Sequence, residues 1–345
     1  MEKKINKRKI EIIELLRFLA MTEVFLIHYT QDYIHSGTNL PLPIVSGKLG
    51  VAFFFMITAY LLIKTSKSVP KGFLRKKAIQ LLPKYEIVTF FVFVIVQIKP
   101  SLLHSIDASP LNFLLSVFLI PYQTEGIAYV CPILPIAWTL VIQASVFIIF
   151  RILMQFFKNS RITGLVMVVV TAGLYITGCI FGTSNLFTFA YCRFYMLYFC
   201  AGFIVALLEP YVTKALPEFF RKQHIVHLTI CIVLLIGFLA LSCIYNETII
   251  FFLINAIIFS ACIYLCSALT MPRFITLSGR ISYSFYFIHY LVCKVFTRLI
   301  FQTGNYILFY VLLIACFASS FLIAWMYDNV VNKIVCLLTS KKKCQ

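Results

Sequence analysis

The chain alternates between long apolar stretches and short polar connectors, and this alternation predicts its architecture. The stretch IVHLTICIVLLIGFLALSCIY (225–245) exceeds the ~20 residues an α-helix needs to cross a bilayer. Comparable stretches lie at 12–30, 47–63, 84–99, 134–157, 162–181, 191–208, 225–244, 248–270, 282–301 and 306–330. Their pattern predicts an all-α polytopic membrane bundle of about ten transmembrane helices. A transmembrane β-barrel would instead show ~10-residue segments of strict alternation. The segment LNFLLSVFLIPY (111–122) has the ~10–14-residue length of an interfacial or re-entrant piece and is not counted as a span. The first helix lacks a small-residue cleavage site, so it is expected to be retained as a span.

Composition agrees with this class. The chain is 61% hydrophobic and 12% charged, with a mean hydropathy of +0.96. Its net charge of +18 invites a nucleic-acid reading, but the placement of the charges argues against one. Lys and Arg gather at 3–9, 64–84, 158–161, 214–222, 273–280 and 341–343, whereas the connectors 31–47, 182–192, 245–248 and 302–306 carry none. Such asymmetry follows the positive-inside rule and places both termini in the cytoplasm of a multi-pass protein of the inner or plasma membrane. The expected organisation is a basic N-terminus (1–11), a transmembrane domain (12–330) and a basic tail (331–345). The longest external connector, 100–133, would be a lid, an acceptor platform or a plain linker. The twelve cysteines show no metal-ligand spacing, so neither a metal nor a disulfide role is expected.

Chemistry concentrates in the first span. Arg17 and His28 lie eleven residues apart, about three helical turns, so they project to one side some ~16 Å apart along the axis. A cation inside a bilayer is costly and generally lines a pocket or pathway. Neutral imidazole suits proton transfer from a hydroxyl, and a guanidinium suits phosphate or a thioester carbonyl. Interhelical hydrogen bonding for His28 and snorkelling for Arg17 are the plainer alternatives. Asp32, one turn beyond His28, would orient its ring or cap the helix. Glu23 lies mid-span and would line the pocket or pair with another helix.

Three segments resemble the acyltransferase 3 family of integral-membrane O-acyltransferases. LLRFLAMTEVFLIHY carries Arg17 and His28 at the family's spacing; GKLGVAFFFMITAYLL (47–62) resembles its Gly-Val-Asp-x-Phe-Phe segment; LSGRISYSFYFIHYLV (277–292) resembles its Ser-Tyr-x-x-Tyr-x-x-His pattern. The last places Ser282, Tyr283, Tyr286 and His289 as donor- or substrate-binding candidates. Weaker echoes place Trp138 (in AWTL) and Lys77 (in FLRKKAIQLLPKY). Departures occur at Ala52 for Asp, Thr58-Ala59 for Ser-Gly, Gln80 for the second Arg of Arg-x-x-Arg, and Gln143 where many members carry Glu.

The resemblance implies O-acyl transfer, with acetyl-CoA as co-substrate and no bound cofactor. The acceptor it implies is a hydroxyl of a surface polysaccharide or exopolysaccharide, or of its lipid-linked sugar precursor. His28 would be the general base and Arg17 would position the donor or stabilise the oxyanion. A transporter or flippase for lipid-linked sugars, and a non-catalytic member of the fold, are the competing readings. The expected partners are thus the lipid bilayer, acetyl-CoA and the sugar acceptor, with no nucleic acid.

Overall fold

Every regular element among the described residues is helical. The structure is a computed structural model that describes residues 2–35, 48–65, 72–100, 106–123, 130, 132–215, 224–244, 248–266, 269–300 and 306–338. In chain order the helices are α1 (Glu2–His35), α2 (Lys48–Thr65), α3 (Phe73–Ile98), α4 (Pro110–Val117), α5 (Trp138–Phe157), α6 (Ser160–Phe181) and α7 (Leu186–Tyr191). They continue with α8 (Met196–Ala215), α9 (His224–Ile244), α10 (Ile249–Leu265), α11 (Arg273–Arg280), α12 (Ser282–Ile300) and α13 (Tyr306–Leu338). Each predicted span coincides with one of these helices. By length and composition, six stretches suffice to cross a membrane: Lys48–Thr65, Phe73–Ile98, Pro135–Phe157, Ser160–Phe181, Met196–Ala215 and Ile307–Leu338.

Helix α2 is the centre of the bundle. Its apolar window is 78% buried, against 17% for α6 and 22% for α13, so α2 is enclosed by protein while α6 and α13 present side chains outward. Three consecutive phenylalanines of α2 reach four neighbouring helices. Phe53 meets Phe238 and Phe259 on α9 and α10, Phe54 meets Tyr283 and Tyr286 on α12, and Phe55 stacks on Phe199 of α8 at 4.6 Å. The outward residues of the peripheral helices, such as Ile162, Leu165, Val169 and Ile180 of α6, are large and apolar. An exposed apolar surface of that kind is stable against lipid tails, not against water.

Two element boundaries differ from expectation for local reasons. Helix α3 begins at Phe73 rather than 84 and carries Pro83 inside it. The missing N–H of Pro83 is tolerated because the first turns are held by packing on α5, with Phe73 against Phe150 and the Lys77 ammonium over the Phe147 ring. The stretch predicted as 191–208 is broken at 192–195, where Tyr195 hydrogen-bonds back to the Ala190 carbonyl and α8 restarts at Met196.

The short apolar segment after residue 110 forms α4 and packs beside α3. Ser109 caps α4 by accepting from the Asn112 N–H, with Pro110 in the first turn. Tyr85, halfway along α3, donates to the Ser116 carbonyl at 2.9 Å, and the Ile133 N–H donates to the Ser116 hydroxyl at 2.9 Å. The segment therefore folds back beside α3. The amphipathic helix α11 was not anticipated; at eight residues it is too short for the apolar pattern to register.

Helices α2 and α8 touch through glycine. A Cβ on Gly202 would collide with the Met56 carbonyl and lie 2.8 Å from the Ala59 Cβ, so both partners of this seam must be small. Gly202→Val is expected to lower the thermal midpoint of detergent-solubilised protein, at an overpacking cost of about 1–3 kcal/mol. Gly173→Ala, where an added Cβ meets nothing within 4 Å, should leave the midpoint unchanged or slightly raised. Equal midpoints for wild type and Gly202→Val would contradict the close seam.

Candidate functional site

Helices α1 and α12 run parallel, and their contact brings the first and last motif segments together. Phe18 packs on Phe274 of α11, Phe25 on Phe285, and His28 on His289 at 5.3 Å between ring centroids. Helix α5 runs antiparallel to α12, so Tyr283 donates to Gln143 Oε1 (3.3 Å) and Tyr286 to the Ile136 carbonyl (2.9 Å). A cleft lies between α2, α5 and α12, lined by Val51 and Phe54, by Thr139, Leu140 and Gln143, and by Tyr283, Tyr286 and Phe287.

One end of this region is cationic. Arg17 is half-buried and its Nη1 donates to Glu14 Oε1 at 3.0 Å. Glu14 is buried against α11, where a Cβ on Gly279 would sit 2.5 Å from Glu14 Oε2. That second oxygen has no hydrogen-bond partner among the described residues. Arg17 also lies within electrostatic range of Lys77 and of the Tyr283 phenol. Of the Lys77 and Gln80 pair, only Lys77 is drawn inward; Gln80 is exposed.

The other end is built on imidazoles. His28 Nδ1 lies 3.3 Å from Gln31 Oε1, and the Tyr290 ring stands edge-on to it at 5.5 Å. His289 is fully buried, and its Nδ1 lies 3.0 Å from the Phe285 carbonyl. The Asp32 side chain lies outside the described residues, although α1 continues through that position.

The remaining sequence candidates fall into place around these ends. Glu23 is buried, and its Oε2 accepts from the Gly50 N–H in the first turn of α2 at 2.7 Å. A helix N-terminus has unsatisfied N–H groups and a partial positive charge, so this carboxylate caps α2 from a neighbouring helix. Tyr286 holds the turn before α5 through Ile136, and Thr139 donates to its hydroxyl at 3.2 Å. Trp138 packs on Phe55 and Tyr195, beside the cleft lining rather than in it. Ser282 is buried with its hydroxyl unpartnered among the described residues. Thr58 returns its hydroxyl to the Phe54 carbonyl at 2.8 Å, and Ala59 lies at the Gly202 seam.

Glu14 and Gln143 were not singled out as binding residues from sequence. Glu14 had a readable signal, because a carboxylate three residues before Arg17 shares its helix face. The Gln143–Tyr283 bond spans 140 residues and has no local signature.

Glu23→Ala would leave a buried N–H unsatisfied and is expected to lower thermal stability by about 1–3 kcal/mol. Glu23→Gln keeps an acceptor and should recover most of that loss. A midpoint unchanged in Glu23→Ala, with activity lost, would reassign Glu23 from capping to substrate binding.

A family model described as an acyltransferase domain matches residues 10–327. No curated protein and no solved structure matches the chain.

Proposed function

The chain belongs to the acyltransferase 3 family, and we propose that it moves an acetyl group from acetyl-CoA to a hydroxyl of a surface polysaccharide or its lipid-linked precursor. The observation that carries this reading is a cleft whose lining tyrosines, Tyr283 and Tyr286, neighbour two chemically different groups of side chains. Arg17 stands near both Tyr283 and Lys77 at one end, and His289, with His28 beside it, stands next to Tyr286 at the other. The parallel run of α1 and α12, with α5 opposed, is what alternating crossings from a cytoplasmic N-terminus would give, and on that reading the Arg17 end faces the cytoplasm, where acetyl-CoA is found.

The separation along α1 divides the labour. At ~1.5 Å per residue, Arg17 and His28 emerge on the order of 16 Å apart, too far to act on one carbonyl oxygen. Arg17 is therefore assigned the phosphate-bearing end of the donor, for which a planar guanidinium is suited. Glu14 engages one of its N–H groups and fixes its direction. The pantetheine arm would run through the cleft, whose lining carries no charged side chain. His28 takes the proton of the acceptor hydroxyl as that oxygen attacks the thioester carbon. The C–S bond breaks, and the proton passes to the leaving thiolate.

The test compares wild type, His28→Ala and Arg17→Ala in the native host, using mass spectrometry of the surface glycans. The expected result is loss of the base-labile acetyl increment in both variants at unchanged protein level. For His28→Ala the rate should fall by about 10²–10⁴-fold, the range for removing a general base. Loss of a different acyl increment would correct the donor. Unchanged glycan mass with altered export of precursors would overturn the reading in favour of transport.

A further inference from the structure

Resting on that reading, we infer that His289 is a positioning residue that receives the proton-bearing nitrogen of His28 during transfer. Helix geometry fixes its tautomer. Its Nδ1 lies 3.0 Å from the Phe285 carbonyl, one turn back, and since a carbonyl only accepts, Nδ1 carries the hydrogen. Nε2 is thereby left as a lone-pair acceptor. His289 is fully buried, and Nε2 has no hydrogen-bond partner among the described residues. A buried polar atom without a partner costs about 1–3 kcal/mol, so such an atom calls for an explanation.

The surroundings leave few donors to supply one. The Phe285 ring stacks on His289 at 5.5 Å, Phe25 lies at 6.5 Å, and Tyr286 lies at 5.8 Å with its hydroxyl committed to Ile136. His28, at 5.3 Å between centroids, is the one of these neighbours that brings ring nitrogens. At that separation a turn of the His28 ring, or a single intervening hydroxyl oxygen, would join the two imidazoles.

The proton path then closes. With the His28 Nδ1–H directed to Gln31 Oε1, its Nε2 takes the proton of the acceptor hydroxyl. The alkoxide oxygen forms its bond to the thioester carbon and so ceases to accept from the new N–H. In a water-poor interior that orphaned donor on a cation would be costly. The His289 Nε2 lone pair accepts it, and when the C–S bond breaks the proton goes from His28 to the thiolate. His289 remains neutral throughout, and no proton is gained or lost overall.

Two isosteres separate this role from a structural one. The glutamine amide reaches about as far as Nε2 and keeps an acceptor there, whereas asparagine ends near Nδ1 and keeps only the bond within α12. Membranes of the native host lacking its own copy would receive each variant and [14C]acetyl-CoA, and initial rates of label transfer to base-labile glycan would be measured. Expected is a kcat fall of about 10- to 100-fold for His289→Asn, an unchanged KM for acetyl-CoA, and substantial recovery in His289→Gln. Thermal midpoints of both purified variants control for folding. Equal kcat in the Asn and Gln variants, or a change confined to KM, overturns the positioning role while leaving His28 as base, provided that His28→Ala is inactive. No transfer by wild type overturns the acetyl-CoA reading and this role with it.

Discussion

Enclosing α2 on all sides constrains everything around it. A helix with 78% of its apolar window buried needs close neighbours, and these arrive through small residues and through aromatic rings pointing in several directions. Gly202 admits α8, Gly50 admits α1, and Phe53, Phe54 and Phe55 engage α10, α12 and α8 in turn. Glu23 then sets the depth of α1 against α2 by taking the Gly50 N–H. With α1 and α12 both docked to α2, their parallel contact follows, and Arg17, His28, Tyr283 and His289 share one region. The cleft is thus a by-product of how α2 is packed.

Buried charges divide into two kinds. Lys84 with Asp328 and Lys64 with Glu209 bridge different helices at 2.5 Å, with Ser284 and Tyr60 donating to the same carboxylates. These networks bind α3, α12 and α13 together and fasten α2 to α8. Breaking one partner of such a pair leaves an uncompensated buried charge, so their cost falls on stability. The Arg17–Glu14 pair differs, since both groups lie on one helix turn and no second helix is tied by it. Its effect is to orient Arg17 toward the region of Lys77 and Tyr283.

Much of the helical layout was legible because lipid-facing helices must be apolar over a fixed length. That rule located each long helix and set 111–122 apart as too short to be a span. It failed where tertiary contacts override local pattern. Pro83 reads as a helix start, yet packing of Phe73 and Lys77 on α5 extends α3 beyond it. Helix α11 is too short to read, yet it supplies the Gly279 surface against Glu14. Arg17 and His28 stand out as candidates because both are anomalous in an apolar stretch and share a face. Glu23 was ambiguous because its partner is a backbone N–H, which sequence does not mark. Gln143 was noticed as a departure, but its bond to Tyr283 depends on α5 and α12 being antiparallel.

That departure bears on the electrostatics of the cleft. A glutamate at position 143 would have set a negative charge beside the Tyr283 phenol, close to Arg17, and would have competed with a phosphate for the guanidinium. Gln143 accepts the same phenol hydrogen bond without a charge. With Ala52 in place of Asp on α2, a second carboxylate is also absent from this chain's central helix. The cleft lining then contributes hydrogen bonds but no formal charge. On the proposed reading, charge is left to the two ends, Arg17 and Lys77 for an anion and His28 for a proton. In a low-dielectric interior such separation matters, because interactions there are weakly screened and a carboxylate midway would oppose an anionic donor along its whole path.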